Sequence, residues 1–219
     1  MNVEVINSYI PLYIKAFWLT VRIGWLGIIL ALAIGVIAAF ILHFKIPVLS
    51  KITAVYVELF RNTPLLVQLF FIYFALPKIG LSIPAEACGV IGLGLLGGSY
   101  MAEAIRSGLD SIPETQTESA LALGMTRQQT FQNVILPEAL TLSVPAVIAN
   151  IIFLLKETSV FSAISLMDLM FTAKDLIGLY YNTTEALFML VIFYVVMLLP
   201  VSVLGSLAEN KVRYRTFGV

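Results

Sequence analysis

The sequence predicts an all-α membrane protein of about five transmembrane helices. Three observations carry this. The 219-residue chain is 60% hydrophobic and only 12% charged, against about 25% charged in an ordinary soluble domain. Its apolar residues gather in runs that reach or approach the roughly 20 residues needed to cross a bilayer core about 30 Å thick. Lys and Arg are shared unequally between the connections, as the positive-inside rule requires of a threaded chain. A water-soluble fold of this length could not hide so much apolar side chain, so the excess faces lipid. The chain reads as one domain, residues 1–219, without low-complexity tracts or a clear internal repeat.

The first span covers about residues 16–42, broken only by Arg22. The polar start, Met1 to Tyr9, runs into it without an A-x-A-like cleavage site, so no secretory signal is expected. The second span covers about 52–76, with Glu58 and Arg61 near its start, three apart and expected to pair. The third covers about 83–104, the fourth 134–155 and the fifth 186–207. With the N-terminus outside, the inner side receives Lys45, Lys51, Arg106, Arg127, Lys211, Arg213 and Arg215. The outer side keeps Lys15, Lys78 and Lys174. That balance places the C-terminus in the cytoplasm. Two connections are long: 105–133, cytoplasmic in this topology, and 156–185, external and expected to hold a short helix at the membrane.

Several functions are excluded. Thirteen basic and thirteen acidic residues cancel, leaving no basic field for nucleic acid. One cysteine, Cys88, and one histidine, His43, cannot build a Cys/His metal site. An intramembrane enzyme is kept only as a lesser alternative, because no H-E-x-x-H or G-x-S-x-G occurs to supply its acid, base and nucleophile, and no catalytic residue is assigned. Gly92 to Gly97 matches G-x-G-x-x-G, but it lies inside a span with no preceding strand. Small residues that let helices approach closely explain it better. There is no G-x-x-x-x-G-K-[S/T], so the chain is not expected to bind ATP. A self-contained ion-coupled carrier or channel remains as an alternative, although five spans do not divide into the two equal halves typical of carriers.

The connection between spans three and four is the most informative segment. Glu114 to Pro137 reads ETQTESALALGMTRQQTFQNVILP and is far more polar than its flanks. Ser111, Thr115 or Thr117 could cap a helix whose positive end favours Glu114 and Glu118. Ala120 to Leu123 are strong helix formers and Gly124 is a natural stop. By these residues alone, the helix serves equally as a loop resting on its own bundle or as a docking element. A second turn or two, from Arg127 to Asn133, leads back to the membrane.

Glu118-Ser119-Ala120, Gly124 and then Leu136-Pro137 resemble the EAA loop of ABC-importer permeases, at the spacing of that family. Ser119 replaces the middle alanine and stays small. YVELFRNTPLLVQLFFIY (56–73), SYMAEAIRSGL (99–109) and LLKETSVFS (154–162) are similar to the polar amino-acid branch of that family. The chain departs from the branch at Thr115-Gln116 and at Glu138 and Thr141. The resemblance implies a bacterial inner-membrane permease subunit for polar amino acids, working by alternating access. It implies that residues 111–133 form a coupling helix seated on a cytoplasmic ABC ATPase, which binds the ATP and Mg. It further implies a second permease subunit, identical or homologous, and an extracytoplasmic amino-acid-binding protein.

Polar residues at membrane depth are costly and usually face a cavity or a partner. Lys156, Glu157, Thr158 and Ser159 close the fourth span, either lining a substrate path or merely ending a helix. In the second span Thr63, Pro64 and Gln68 interrupt an apolar run; Thr63 and Gln68 are candidates for the path or for helix-to-helix hydrogen bonds.

Overall fold

A computed structural model describes the backbone of residues 2–217 and the side chains of 2–212. The side chains of Arg213 and Arg215, counted in the orientation above, lie outside the described residues. Among the described residues the chain is helical, with no strand. Among the described residues, four helices are long and apolar enough to cross a membrane, and five if a sharply bent pair counts as one span.

Helix α1 (Val3–His43) starts earlier than the apolar run alone indicates. Asn2 accepts the Glu4 N–H and caps it. At 1.5 Å per residue its 41 residues reach about 60 Å, twice the bilayer core. The extra length packs Tyr9, Tyr13 and Ala16 against later helices.

The second expected span, 52–76, is not one helix. It divides into α2 (Leu49–Arg61) and α3 (Leu65–Phe70), the latter extended by wider and tighter turns to Ile79. The two halves are bent by 105°. Pro64 has no N–H to continue the ladder, and Thr63 before it is pushed out of the helical region.

Helix α4 (Ala85–Asp110) is the axle of the bundle, packing against α1, α2 and α7. Its apolar window is 72% buried. Gly97 shows why: a Cβ there would sit 2.6 Å from Leu154 of α7 and 2.7 Å from Ala31 of α1. Only a residue without a side chain admits both neighbours.

Two short helices follow, α5 (Glu114–Ala122) and α6 (Arg127–Thr130). Thr126 and Gln129 close α6 with a reciprocal capping box. One wide turn, Phe131–Ile135, leads into α7 (Leu136–Glu157), which tightens at Thr158–Ile164. Helix α8 (Leu169–Tyr180) packs on α1, and α9 (Thr183–Phe217) closes the bundle against α7 and α8. The main core cluster joins Ile23, Ile28, Leu69, Leu93, Met101, Leu154 and Phe161 at the meeting of α1, α3, α4 and α7.

Candidate functional site: a polar cavity and an open helix

The break between α2 and α3 is held by side chains that finish a helix end. The last carbonyls of a helix lack intrahelical donors. Here Asn62 Nδ2 donates to Glu58 O at 2.7 Å and Thr63 Oγ1 donates to Leu59 O at 2.8 Å. Gln68 Nε2 reaches back to Phe60 O at 3.1 Å, Thr63 O at 3.1 Å and Thr63 Oγ1 at 2.9 Å. Leu59 O and Phe60 O, which the helix itself leaves without donors, are thus satisfied across the bend, while Glu58 O also takes the Asn62 N–H. Gln68 itself is buried, and its Oε1 has no partner.

The bend makes one wall of a cavity of about 560 Å³. Arg61, Asn62, Thr63 and Pro64 line that wall; Tyr100 of α4 and Phe153 and Glu157 of α7 line the others. Of the residues offered in the sequence as candidates for the substrate path, Thr63 and Glu157 lie on this lining. Gln68 stands behind it as the fastener of the bend. Lys156 is exposed, Ser159 is half-buried, and neither belongs to the lining. Thr158 is fully buried and donates to Leu155 O at 2.7 Å.

Arg61, Asn62, Tyr100 and Phe153 were missed by sequence reasoning. Arg61 does not pair with Glu58, contrary to the i,i+3 expectation. Its guanidinium lies 3.6 Å from Glu103 Oε2 on α4 and 5.6 Å from the Tyr100 ring centroid. Asn62 Nδ2 instead donates to Glu58 Oε2 at 3.0 Å. Glu103 also accepts from Arg106 at 2.9 Å; Arg106 approaches Asp110 at 3.9 Å, and His43 Nδ1 lies 2.9 Å from Asp110. The signal available was the three charges of α4 at Glu103, Arg106 and Asp110, spaced to share one face. Arg22 meets Glu86 at the opposite end of α4.

The second feature is α5. No hydroxyl caps it: extended Pro113 precedes Glu114, and Ser111 donates to Ser107 O instead. Glu118 and Ser119 are exposed, and Ala120 is the one buried residue of the helix. Gly124 ends it at φ +87°, with its N–H on Leu121 O at 2.9 Å. Only glycine takes that backbone without strain. Leu123 beside it is 84% exposed. Leu136 and Pro137 begin α7, and Gln116 Nε2 donates to Glu138 Oε1 at 3.1 Å, tying α5 to that start. The arrangement is a cavity walled by α2, α4 and α7, joined through α7 to an exposed apolar helix end.

Residues 31–214 match the family described as "Binding-protein-dependent transport system inner membrane component". The chain is 36% identical to the probable glutamine ABC transporter permease protein GlnP of Bacillus subtilis, over 80% of this chain and 82% of that one. It is 34% identical to the probable amino-acid ABC transporter permease protein PatM of Vibrio harveyi, over 94% and 95%. It is 32% identical to the glutamine transport system permease protein GlnP of Escherichia coli, over 93% and 94%. Among solved structures, a chain of an amino acid ABC transporter crystallised with histidines superposes with a TM-score of 0.90 at 32% identity, over 96% of this chain and 99% of that one. A chain of the inward-facing MetNI methionine ABC transporter superposes at 0.78 and 21% identity, over 97% and 99%, a likeness of fold alone.

Proposed function

The chain belongs to the binding-protein-dependent transport inner-membrane components, and from that premise we propose that it is the permease of an ATP-driven importer of polar amino acids. The observation that carries the substrate is the cavity between α2, α4 and α7. It holds a cation at Arg61, a carboxylate at Glu157 and aromatic walls at Tyr100 and Phe153. An amino acid is a zwitterion with a side chain, and this lining offers a complement to each part. Glu157 has no hydrogen-bond or ion-pair partner among the described residues, so a substrate ammonium would meet an unspent carboxylate.

The coupling reading rests on α5. An isolated helix of nine residues is marginal in water. Leu123, exposed beside Gly124, offers apolar surface with nothing of its own chain to cover it. An ATP-hydrolysing subunit in the cytoplasm covers it, on this reading, with Glu118 and Ser119 facing the docking groove and Ala120, buried, seating the helix on its own bundle. ATP and Mg bind that subunit and not this chain. Leu136 and Pro137 pass the motion on to α7, which carries Phe153 and Glu157. A second permease subunit, identical or homologous, completes the assembly, and an external binding protein delivers the amino acid. ATP then shifts a two-state bundle between inward- and outward-facing forms. The N-terminus lies outside and the C-terminus in the cytoplasm. Lys156, Thr158 and Ser159 end α7 and place Glu157, and Gln68 shapes the bend.

The test is reconstitution. The chain is purified from its host membrane with its co-purifying proteins, placed in liposomes, and assayed for ATP-driven uptake of each of the twenty amino acids. Uptake of at least one, lost in Gly124→Pro and Glu118→Lys proteins that still reach the membrane, supports the proposal. Normal uptake by both variants removes the coupling role of α5. Purification without any ATPase returns the chain to the alternative of an independent carrier.

A further inference from the structure

The two ionic groups of the cavity are unequally committed. Glu157 is unpartnered among the described residues, whereas Arg61 already has a counter-ion in Glu103. That contact, at 3.6 Å, is longer than a hydrogen bond and is Coulombic only. Glu103 does not depend on it, because Arg106 donates to its other oxygen at 2.9 Å. Arg61 can therefore leave without stranding a carboxylate, the step that makes most buried pairs expensive to open. The Tyr100 ring lies 5.6 Å from the guanidinium and supports it from within the cavity wall.

We propose that Arg61 is the residue that receives the carboxylate of the substrate, exchanging Glu103 for it, while Glu157 faces the ammonium. This rests on the amino-acid reading above and fixes the polarity of the substrate in the site. A guanidinium suits the task because its planar fork gives two parallel hydrogen bonds to a carboxylate. The exchange also has a route outward. Glu103, relieved of Arg61, is left to Arg106, which adjoins Asp110, the last residue of α4 and the partner of His43. Only the turn at 111–113 separates Asp110 from α5. Occupancy of the cavity and the setting of the charge ladder on α4 thus become one event.

The experiment measures binding to the assembled transporter, without the external binding protein, of two probes: the amino acid taken up best in the twenty-member panel, and its own α-carboxamide. The carboxamide keeps the side chain and the ammonium but lacks the carboxylate. The native protein is expected to favour the acid by about ten- to a hundredfold in Kd, the worth of hydrogen bonds to a charged group. Arg61→Gln is expected to bring acid and amide to near equality by weakening the acid alone. Arg61→Lys keeps a preference for the acid, and serves in its place if the glutamine variant fails to assemble. Glu103→Gln removes the competitor, so it keeps the preference and lowers the Kd of the acid. A retained acid preference in Arg61→Gln overturns the proposal. So does a Glu103→Gln variant that loses the preference, which would mean the pair only shapes the cavity. Failure of the amino-acid reading is separate and visible beforehand, as a native protein that takes up none of the twenty.

Discussion

Two connections flank α7, and they solve the same problem in opposite ways. Helix α8, 12 residues, is finished by its own chain. Asp168, fully buried, accepts the N–H groups of Met170 and Phe171, and Leu169 N donates to Thr20 of α1 at 3.2 Å. Leu169, Ala173 and Leu176 pack against Tyr9 and Tyr13 of α1 and Met189 of α9. Helix α5, nine residues, buries Ala120 alone, and no side chain caps its N-terminus. The difference teaches that α8 belongs to the stability of the bundle, while α5 is an incomplete surface kept in place by Gln116–Glu138 and the α6 turn.

Substitutions can break or sharpen this contrast. The largest expected effect is at Leu169→Ala or Leu176→Ala. Each should cost about 2–5 kcal/mol by the lost contacts and the cavity left behind, read by thermal unfolding in detergent. If α8 were a loosely held flap, both would be near neutral and the contrast would collapse.

Asp168 comes next. Burial raises its carboxyl from 3.8 to about 7, against the opposing N–H groups of Phe171 and Met170 and the charge of Lys174. The folded state therefore holds the proton more tightly than the unfolded one. Its contribution is fully present below about pH 4 and is lost as pH rises through about 7, at no more than about 1.4 kcal/mol per pH unit. Asp168→Asn, which can still cap α8, should flatten that part of the stability profile. An unchanged profile would show that the carboxylate is better solvated than its burial indicates.

Gly124→Ala should cost only about 1–2 kcal/mol, through a Cβ forced to φ +87° with no steric neighbour. The smallest effect on stability is Leu123→Ala at 84% exposure, within about 0.5 kcal/mol. The same variant should nonetheless lower transport per ATP hydrolysed. Loss of stability without loss of coupling would mean that Leu123 packs on its own bundle.

The helical membrane class was legible because lipid exposure demands long apolar runs, and five such runs are written openly in the chain. So was the α5 segment, whose polarity and Gly124 stop are local properties. The bend of the second span was half legible. Pro64 marks a break in the ladder, but an apolar run of 25 residues across 52–76 reads as continuous by composition. The charge pairing was not legible. Arg61 and Glu58 are correctly spaced for a helix pair, yet Asn62 takes Glu58 and Arg61 turns to α4. In the cavity, Thr63 and Glu157 stood out as polar residues in apolar surroundings. Tyr100 and Phe153 did not, because aromatic side chains are ordinary in such helices.

Composition, apolar run length and the placement of glycine and proline are sufficient for what the sequence alone determined: a helical membrane protein with one polar excursion that ends at a glycine. These are one-dimensional properties, and the bilayer and the backbone hydrogen-bond ladder read them locally. Which residues share the cavity was decided only in three dimensions. Arg61, Tyr100 and Glu157 come from helices α2, α4 and α7, and they meet because a 105° bend turns one wall inward. Close packing of α1 and α7 at Gly97 fixes where α4 stands beside them. Crossing angles and depth are set by side chains interlocking between distant segments, and no local pattern records them.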